Sequence, residues 1–273
     1  MNTSMDIGFS RHANAFSGSL TLDDVRRRAP AVFAESAHER TSSTYTFVPT
    51  DRVLTGLMQA GFVPVEARQT RARHGLSHAR HVVRLRRRFE TVQLKDAVPE
   101  VVFLNSHDGT SAYQLRVGIF RVVCTNGLIV SVGSFPSIRV AHRGDIVEEI
   151  VASALDISER FGALAGRVER MEQRLLAKDE QIAFAERAMA VRFAEPNESG
   201  IQPAQLLTCH RVDDLGNDLW SVLNKVQENL LRGGLVRLAA SGQRSRTRRI
   251  TSIREDVRIN SQLWDLAEDV LTG

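Results

Sequence analysis

Residues 144–175 read GDIVEEIVASALDISERFGALAGRVERMEQRL, and the period of this stretch decides the class of fold. Val147, Ile150, Ala154, Ile157, Phe161, Leu164, Val168, Met171 and Leu175 follow one another at alternating intervals of three and four. Side chains spaced this way line one stripe of an α-helix, and a repeat of about 3.5 residues suits a helix packed along its length. The spacing predicts one long helix over 143–194, interrupted in its stripe by Lys178 and resumed by Ile182 and Met189. Glu169, Arg170, Glu172 and Arg174 fall on the opposite side. Two partners suit the stripe: the chain's own sheet, or a second copy of the chain in a coiled coil.

Upstream the period is two. In HVVRLRRRF (81–89), Val83, Leu85 and Phe89 share one face, with Arg87 as the misfit, and Arg84, Arg86 and Arg88 share the other. STYTFV (43–48), FVPVEARQ (62–69), EVVFLNS (100–106), AYQLRVGIFRVVC (112–124), LIVSV (128–132) and SIRV (137–140) also read as strands. Asp108-Gly109 and Asn126-Gly127 mark turns between them. The segment TDRVLTGLMQAG (50–61) reads as a helix capped by Thr50 and stopped at Gly61.

The fold class is therefore α+β: an antiparallel β-meander of about six strands with one early helix, then a long helix and a helical C-terminal region. Residues 1–40 read as a flexible N-terminal arm carrying a short helix from Thr21, limited by Pro30. Residues 41–142 form the β-rich core. Residues 203–273 form helices at LWSVLNKVQENLLR (219–232) and REDVRINSQLWDLAEDVL (254–271), with a basic loop or hairpin at 237–253 between them. Trp220 and Trp264 sit at apolar helix positions and read as core.

With 42% hydrophobic residues the chain can bury a real core, and its formal charge of +4 does not make it a polycation. Its basic residues are lopsided in kind. Of 36, only Lys95, Lys178 and Lys225 are lysine. Codon bias could produce that ratio. So could a preference for the planar guanidinium fork, which suits phosphate. Two cysteines, Cys124 and Cys209, form no CxxC pattern, and no apolar run approaches a membrane span. A cytoplasmic location with no membrane contact is expected.

The basic residues cluster. Eight arginines lie between Arg68 and Arg88 with no acid among them, and eight more between Arg232 and Arg258 against only Glu255 and Asp256. In each window arginines alternate: Arg84, Arg86, Arg88, and Arg244, Arg246, Arg248. An extended backbone puts such a row on one side at intervals of about 6.6–6.8 Å, close to the phosphate spacing of a single strand. The expected contacts to nucleic acid are Arg80, Arg84, Arg86, Arg88, Arg244, Arg246, Arg248 and Arg249. They would be phosphate-directed and tolerant of sequence. A solvated strand face, or pairing with acids elsewhere in the chain, would use the same pattern.

His74, His78 and His81 have intervals of four and three, but Gly75 interrupts them and no Cys or Asp joins, so no metal is expected. The chain has no GxxxxGK[ST] and no GxGxxG, so no nucleotide cofactor is expected either. A hydrolase or nuclease could use Asn105, His107, Asp108 and Cys124, or carboxylates at Asp108, Asp145, Glu148 and Glu149. Turn formation and helix-surface charge account for the same residues, and catalysis is not the leading expectation.

Four segments carry a family resemblance. YTFVPT (45–50) with GF (61–62), NSHDGTSAYQLRVGIFRVVCTNGL (105–128), LWSVLNKVQENLLRGG (219–234) and TRRITSIREDVRINSQLWDLAE (247–268) resemble, in that order, the phage and plasmid-like proteins of domain of unknown function family 932. The resemblance covers the chain from about residue 42 onward and implies a mobile genetic element, hence replication, recombination or avoidance of host defence. The meander, long helix and basic strands are also similar in architecture to single-strand annealing proteins. That similarity implies single-stranded DNA as partner and assembly as a homo-oligomer. An interaction protein that counters a host defence system is the alternative from another class.

Overall fold

Val83 and Leu85 alternate with Arg84 and Arg86, and the chain answers with a strand whose apolar members are fully buried. The computed structural model describes residues 18–41, 45–70, 76–92, 94, 97–121, 127–130, 138–140, 146–193, 200–239 and 241–273. Two compact units are formed. The first draws on residues up to 91, 100–115 and 139–155, and the second on 92–99, 116–138 and 156–273.

Six strands make one sheet: β1 (Phe62–Gln69), β2 (His81–Arg87), β3 (Ala97–Asn105), β4 (Tyr113–Arg121), β5 (Gly127–Val130) and β6 (Ile138–Val140). The order is β1-β2-β3-β4-β5, with β6 on β4. The pairs β1–β2, β2–β3 and β4–β5 are antiparallel, as a meander requires. Of the strand expected at 43–48, residues 45–48 are irregular and 43–44 lie outside the described residues.

In the first unit, α1 (Leu22–Arg28) begins at a capping box, where Thr21 Oγ1 accepts from Asp24 N at 3.1 Å and the Asp24 carboxylate accepts from Thr21 N at 2.9 Å. Val25, Ala31 and Val32 are fully buried, so residues 20–34 belong to the core and not to an arm. Apolar spacing alone hides this, because Arg26–Arg28 and the acids before them dominate the composition. Residues 1–17 lie outside those described. Helix α2 (Thr50–Gln59) starts after Pro49, and Thr50 makes no cap bond. A side chain at Gly56 would meet Val147 at 2.8 Å, so the helices pack closely there.

The expected single long helix is three: α3 (Ile146–Glu159), α4 (Phe161–Gln173) and α5 (Lys178–Arg192). Arg160 makes a one-residue turn. Between α4 and α5 the chain extends, because Leu176 N donates to Asn217 O at 2.9 Å and Leu219 N donates to Arg174 O at 2.8 Å. A backbone pairing with a distant segment replaces a turn of helix. In the second unit α4, α5 and α7 (Ile253–Thr272) pack around α6 (Leu219–Arg232). Every residue from Leu219 to Leu231 is buried. The polar members are satisfied: Asn229 Nδ2 donates to Leu206 O and Thr208 O, Gln227 to Asn260 Oδ1, and Lys225 Nζ to Gly216 O. Phe161, Leu164, Val168 and Met171, from the 144–175 stripe, line this bundle, and Trp220 and Trp264 are core. Among the described residues no helix is long and apolar enough to cross a membrane.

Candidate functional site

Arg84 sits on an internal strand, between β1 and β3, and its register decides its use. Between Pro64 and Glu66 the β1–β2 ladder shifts by one, so that Glu66 and not Val65 lies opposite Arg84. On β3, Glu100 lies two residues from Val102, the direct partner of Arg84, and so on the same face. Arg84 Nη1 donates to Glu66 Oε2, and its Nε and Nη2 donate to Glu100 at 2.6 and 3.1 Å. Arg86 Nε donates to the same carboxylate at 2.6 Å. Glu100 is fully buried, and the side chains of Arg84 and Arg86 are 12% and 14% exposed. Two acids within bonding distance neutralise this pair of arginines inside the sheet. Arg88 lies beyond the end of β2, in an exposed turn with Phe89. Arg80 lies before the strand, where its Nη2 approaches Thr110 O at 3.4 Å.

The second arginine window is arranged differently. Gly233 (φ +73°) and Gly234 (φ +84°) turn the chain out of α6 into a two-stranded hairpin, β7 (Val236–Leu238) and β8 (Arg244–Arg246). Val236 lies opposite Arg246 and Leu238 opposite Arg244, so these four side chains share one face. All four are exposed. The hairpin backbone is held from outside: Val236 N donates to Gln205 Oε1 at 2.9 Å and Leu238 N to Gly200 O at 2.9 Å. A Cβ at Gly200 would overlap the Leu238 carbonyl oxygen. Beyond β8, Gly234 N donates to Thr247 O and Ile250 N to Leu231 O, and Arg192 donates to the carbonyl oxygen of Arg248. The backbone carrying Arg248 and Arg249 is therefore pinned while their side chains stay exposed. Among the described residues Arg244, Arg246, Arg248 and Arg249 make no ion pair. No acid occurs from Asn229 to Arg254.

A third cluster was not legible as such. Thr50 Oγ1 lies 2.9 Å from His107 Nε2, 3.2 Å from His81 Nε2 and 3.0 Å from Asn105 Nδ2. All four residues are fully buried. Proton accounting fixes the directions. His81 Nδ1 faces the Ala79 carbonyl at 3.0 Å and must donate, so its Nε2 accepts the Thr50 hydroxyl proton. The Thr50 oxygen then accepts from Asn105 Nδ2–H and from His107 Nε2–H. Burial pushes the His81 imidazole down to about 4, and so keeps it neutral. The same environment raises both tyrosines nearby: burial and then Asp108 push Tyr45 up to about 12, and burial pushes Tyr113 up.

Of the residues considered for hydrolysis, Asn105 and His107 meet at this hub, and Asp108 is used elsewhere. His107 serves this buried hub, while Asp108 staples the β3–β4 turn by accepting from Ser106 Oγ at 2.7 Å, Thr110 Oγ1 at 2.6 Å and Thr110 N at 3.0 Å. Burial pushes Asp108 up, but these hydrogen bonds and Arg80 outweigh it and hold the carboxyl below its usual value. Glu148 and Glu149 are exposed on α3, and Cys124 and Asp145 lie outside the described residues. Of the three clustered histidines, His78 hydrogen-bonds Ser36 O, His81 points into the core and His74 lies outside the described residues.

The sheet, the helices and the buried polar hub define an α+β protein, and among its described residues four exposed arginines without ion pairs gather on and after a hairpin in the helical second unit. The chain belongs to the family described as domain of unknown function DUF932, whose profile matches residues 37–264. It is 40% identical over 255 residues to the UPF0380 protein YafZ of Escherichia coli (strain K12), covering 93% of this chain and 92% of that one. The UPF0380 protein YfjQ of the same strain matches with the same identity and coverage. No solved structure matches.

Proposed function

We propose that this protein binds nucleic acid through hairpin β7–β8 and the arginines that follow it. Single-stranded DNA is the favoured partner, and strand annealing without nucleotide hydrolysis, by a cytoplasmic homo-oligomer encoded on a mobile element, is the activity in view. One observation carries the reading: four exposed arginines, without ion pairs among the described residues, stand on a pinned, acid-free backbone. On the hairpin face, Arg244 and Arg246 offer forks to phosphate beside Val236 and Leu238, which offer apolar contact to sugars and bases. The ion-paired Arg84 and Arg86 support the fold and not this surface.

Fluorescence anisotropy of a labelled single-stranded oligonucleotide, titrated across salt, tests it. Four phosphate contacts to a single strand correspond to a slope of log K on log salt of about −3. Replacing Arg244, Arg246, Arg248 and Arg249 together by alanine should remove most of that slope and leave the helical content unchanged. A folded protein that fails to bind at low salt would exclude the proposal and leave the host-interaction reading in its place.

A further inference from the structure

Phe89 was expected on the buried face of β2, yet it is 85% exposed. The strand ends at Arg87, and the next residues form a closed turn, with Arg88 N donating to Gly61 O at 2.8 Å and Glu90 N to Arg87 O at 3.2 Å. The ring stands at the mouth of a cavity of about 450 Å³ lined by Gln59, Gly61, Arg87, Phe89, Glu90 and Thr91. That volume lies within the range of small-ligand sites, about 300–1,000 Å³. Single exposed aromatic rings are ordinary on protein surfaces. This one differs in standing on a hydrogen-bonded turn, beside a cavity, and following in the chain Arg88, which is exposed and makes no ion pair among the described residues.

A flat apolar face and a cavity edged by Gln59, Glu90 and Thr91 suit a ligand that is planar and hydrogen-bonding, with an anionic group taken by Arg88 and not by the cavity that Glu90 lines. We infer that the turn at 87–91 is a base-stacking site, where one nucleotide of a single strand lays its base on Phe89 and its phosphate against Arg88. The inference rests on the reading that the chain binds single-stranded nucleic acid, and it adds a contact in the first unit that reads the base face and not the backbone. Stacking on an aromatic side chain contributes roughly 1–3 kcal/mol per base, or about 5- to 150-fold in affinity.

The test pairs Phe89→Ala with two labelled oligonucleotides of equal length and charge, one of thymidine and one of abasic sites. Removing an exposed ring leaves the core untouched, and circular dichroism checks that. The expected result is a loss of at least fivefold on the thymidine strand, little change on the abasic strand and an unaltered salt slope. In Phe89→Trp, the added indole should be quenched by the thymidine strand only. If Phe89→Ala binds both strands as the parent protein does, while the hairpin arginine variant loses both, the stacking site is wrong and the hairpin reading stands. If the intact protein binds neither strand, both fall together.

Discussion

Thr50→Val is the sharpest perturbation of the buried hub, because it exchanges a hydroxyl for a methyl at nearly constant volume. The hydroxyl serves three buried groups, at 2.9, 3.2 and 3.0 Å. After the exchange His107 Nε2–H and Asn105 Nδ2–H lose an acceptor, and His81 Nε2 loses its donor, in a place that is fully buried. A buried polar group left without its partner costs about 1–3 kcal/mol, and neighbours in one network do not add fully. A loss of about 3–5 kcal/mol is expected. Thr50→Ser keeps the oxygen and removes one methyl, for about 1 kcal/mol. Because the chain has two compact units, and both tryptophans are in the second, tryptophan fluorescence would miss the effect. Native-state hydrogen exchange of the β2 and β3 amides reads it locally. Thr50→Val within 1 kcal/mol of the parent, or Thr50→Ser as damaging as Thr50→Val, would refute the proton assignment in which one hydroxyl oxygen organises the site.

Two further outcomes follow from groups already placed. His81 falls from about 6.5 when unfolded to about 4 when folded, so the unfolded chain binds the extra proton first as pH drops. The stability due to its neutral form is complete above pH 6.5 and is lost toward pH 4, by about 3 kcal/mol in all; urea melts followed by far-ultraviolet circular dichroism at pH 7, 5.5 and 4.5 should show this slope, and His81→Gln should flatten it. Glu100→Gln removes the carboxylate shared by Arg84 and Arg86 and should destabilise the sheet by about 3–5 kcal/mol, since it takes a counter-charge common to both guanidiniums out of a buried site; the double variant Glu100→Gln/Arg86→Met should recover part of that, and no recovery would show that the Arg86 contact is not what the mutation disrupts.

The strands of the sheet were legible because they follow period two and are punctuated by Asp-Gly and Asn-Gly dipeptides in the sequence. The C-terminal helices were legible for the same reason at period 3.6; the basic segment at 237–253 was legible only as a loop or hairpin, and the structure makes a hairpin over 236–246. Three features were not. The breaks at Arg160 and at 174–177 leave the stripe from Val147 to Met171 in phase, so no local pattern reports them; the second comes from backbone pairing with Asn217 and Leu219. Thr50 has the sequence signature of an N-cap, and only the fold shows that its hydroxyl faces two histidines instead. Phe89 fits the strand alternation, but the strand stops two residues earlier, and a period cannot announce its own end. The hub did leave a trace, since NSH at 105–107 holds polar residues at the end of an apolar strand. Turn formation explains that trace equally well until His81 and Thr50 are brought to it.

The two arginine rows make the physical reason most plain. Both alternate, both lie in windows almost free of acid, and neither composition nor spacing separates them. What separates them is position in a sheet. β2 is an internal strand, so both edges meet neighbours, and each neighbour delivers a glutamate: Glu66 through a one-residue shift in register, and Glu100 from β3. β8 belongs to a two-stranded ribbon, and its strand partner among the described residues offers Val236, Arg237 and Leu238. A row of like charge on an internal strand must acquire counter-charges to be buried at all, because an uncompensated guanidinium in that environment costs several kcal/mol. A row on an exposed ribbon has no such requirement and can remain positive. A basic window is thus evidence for a binding surface only after its strand is known to have a free face, and in this chain that condition is met by the hairpin and not by the central sheet.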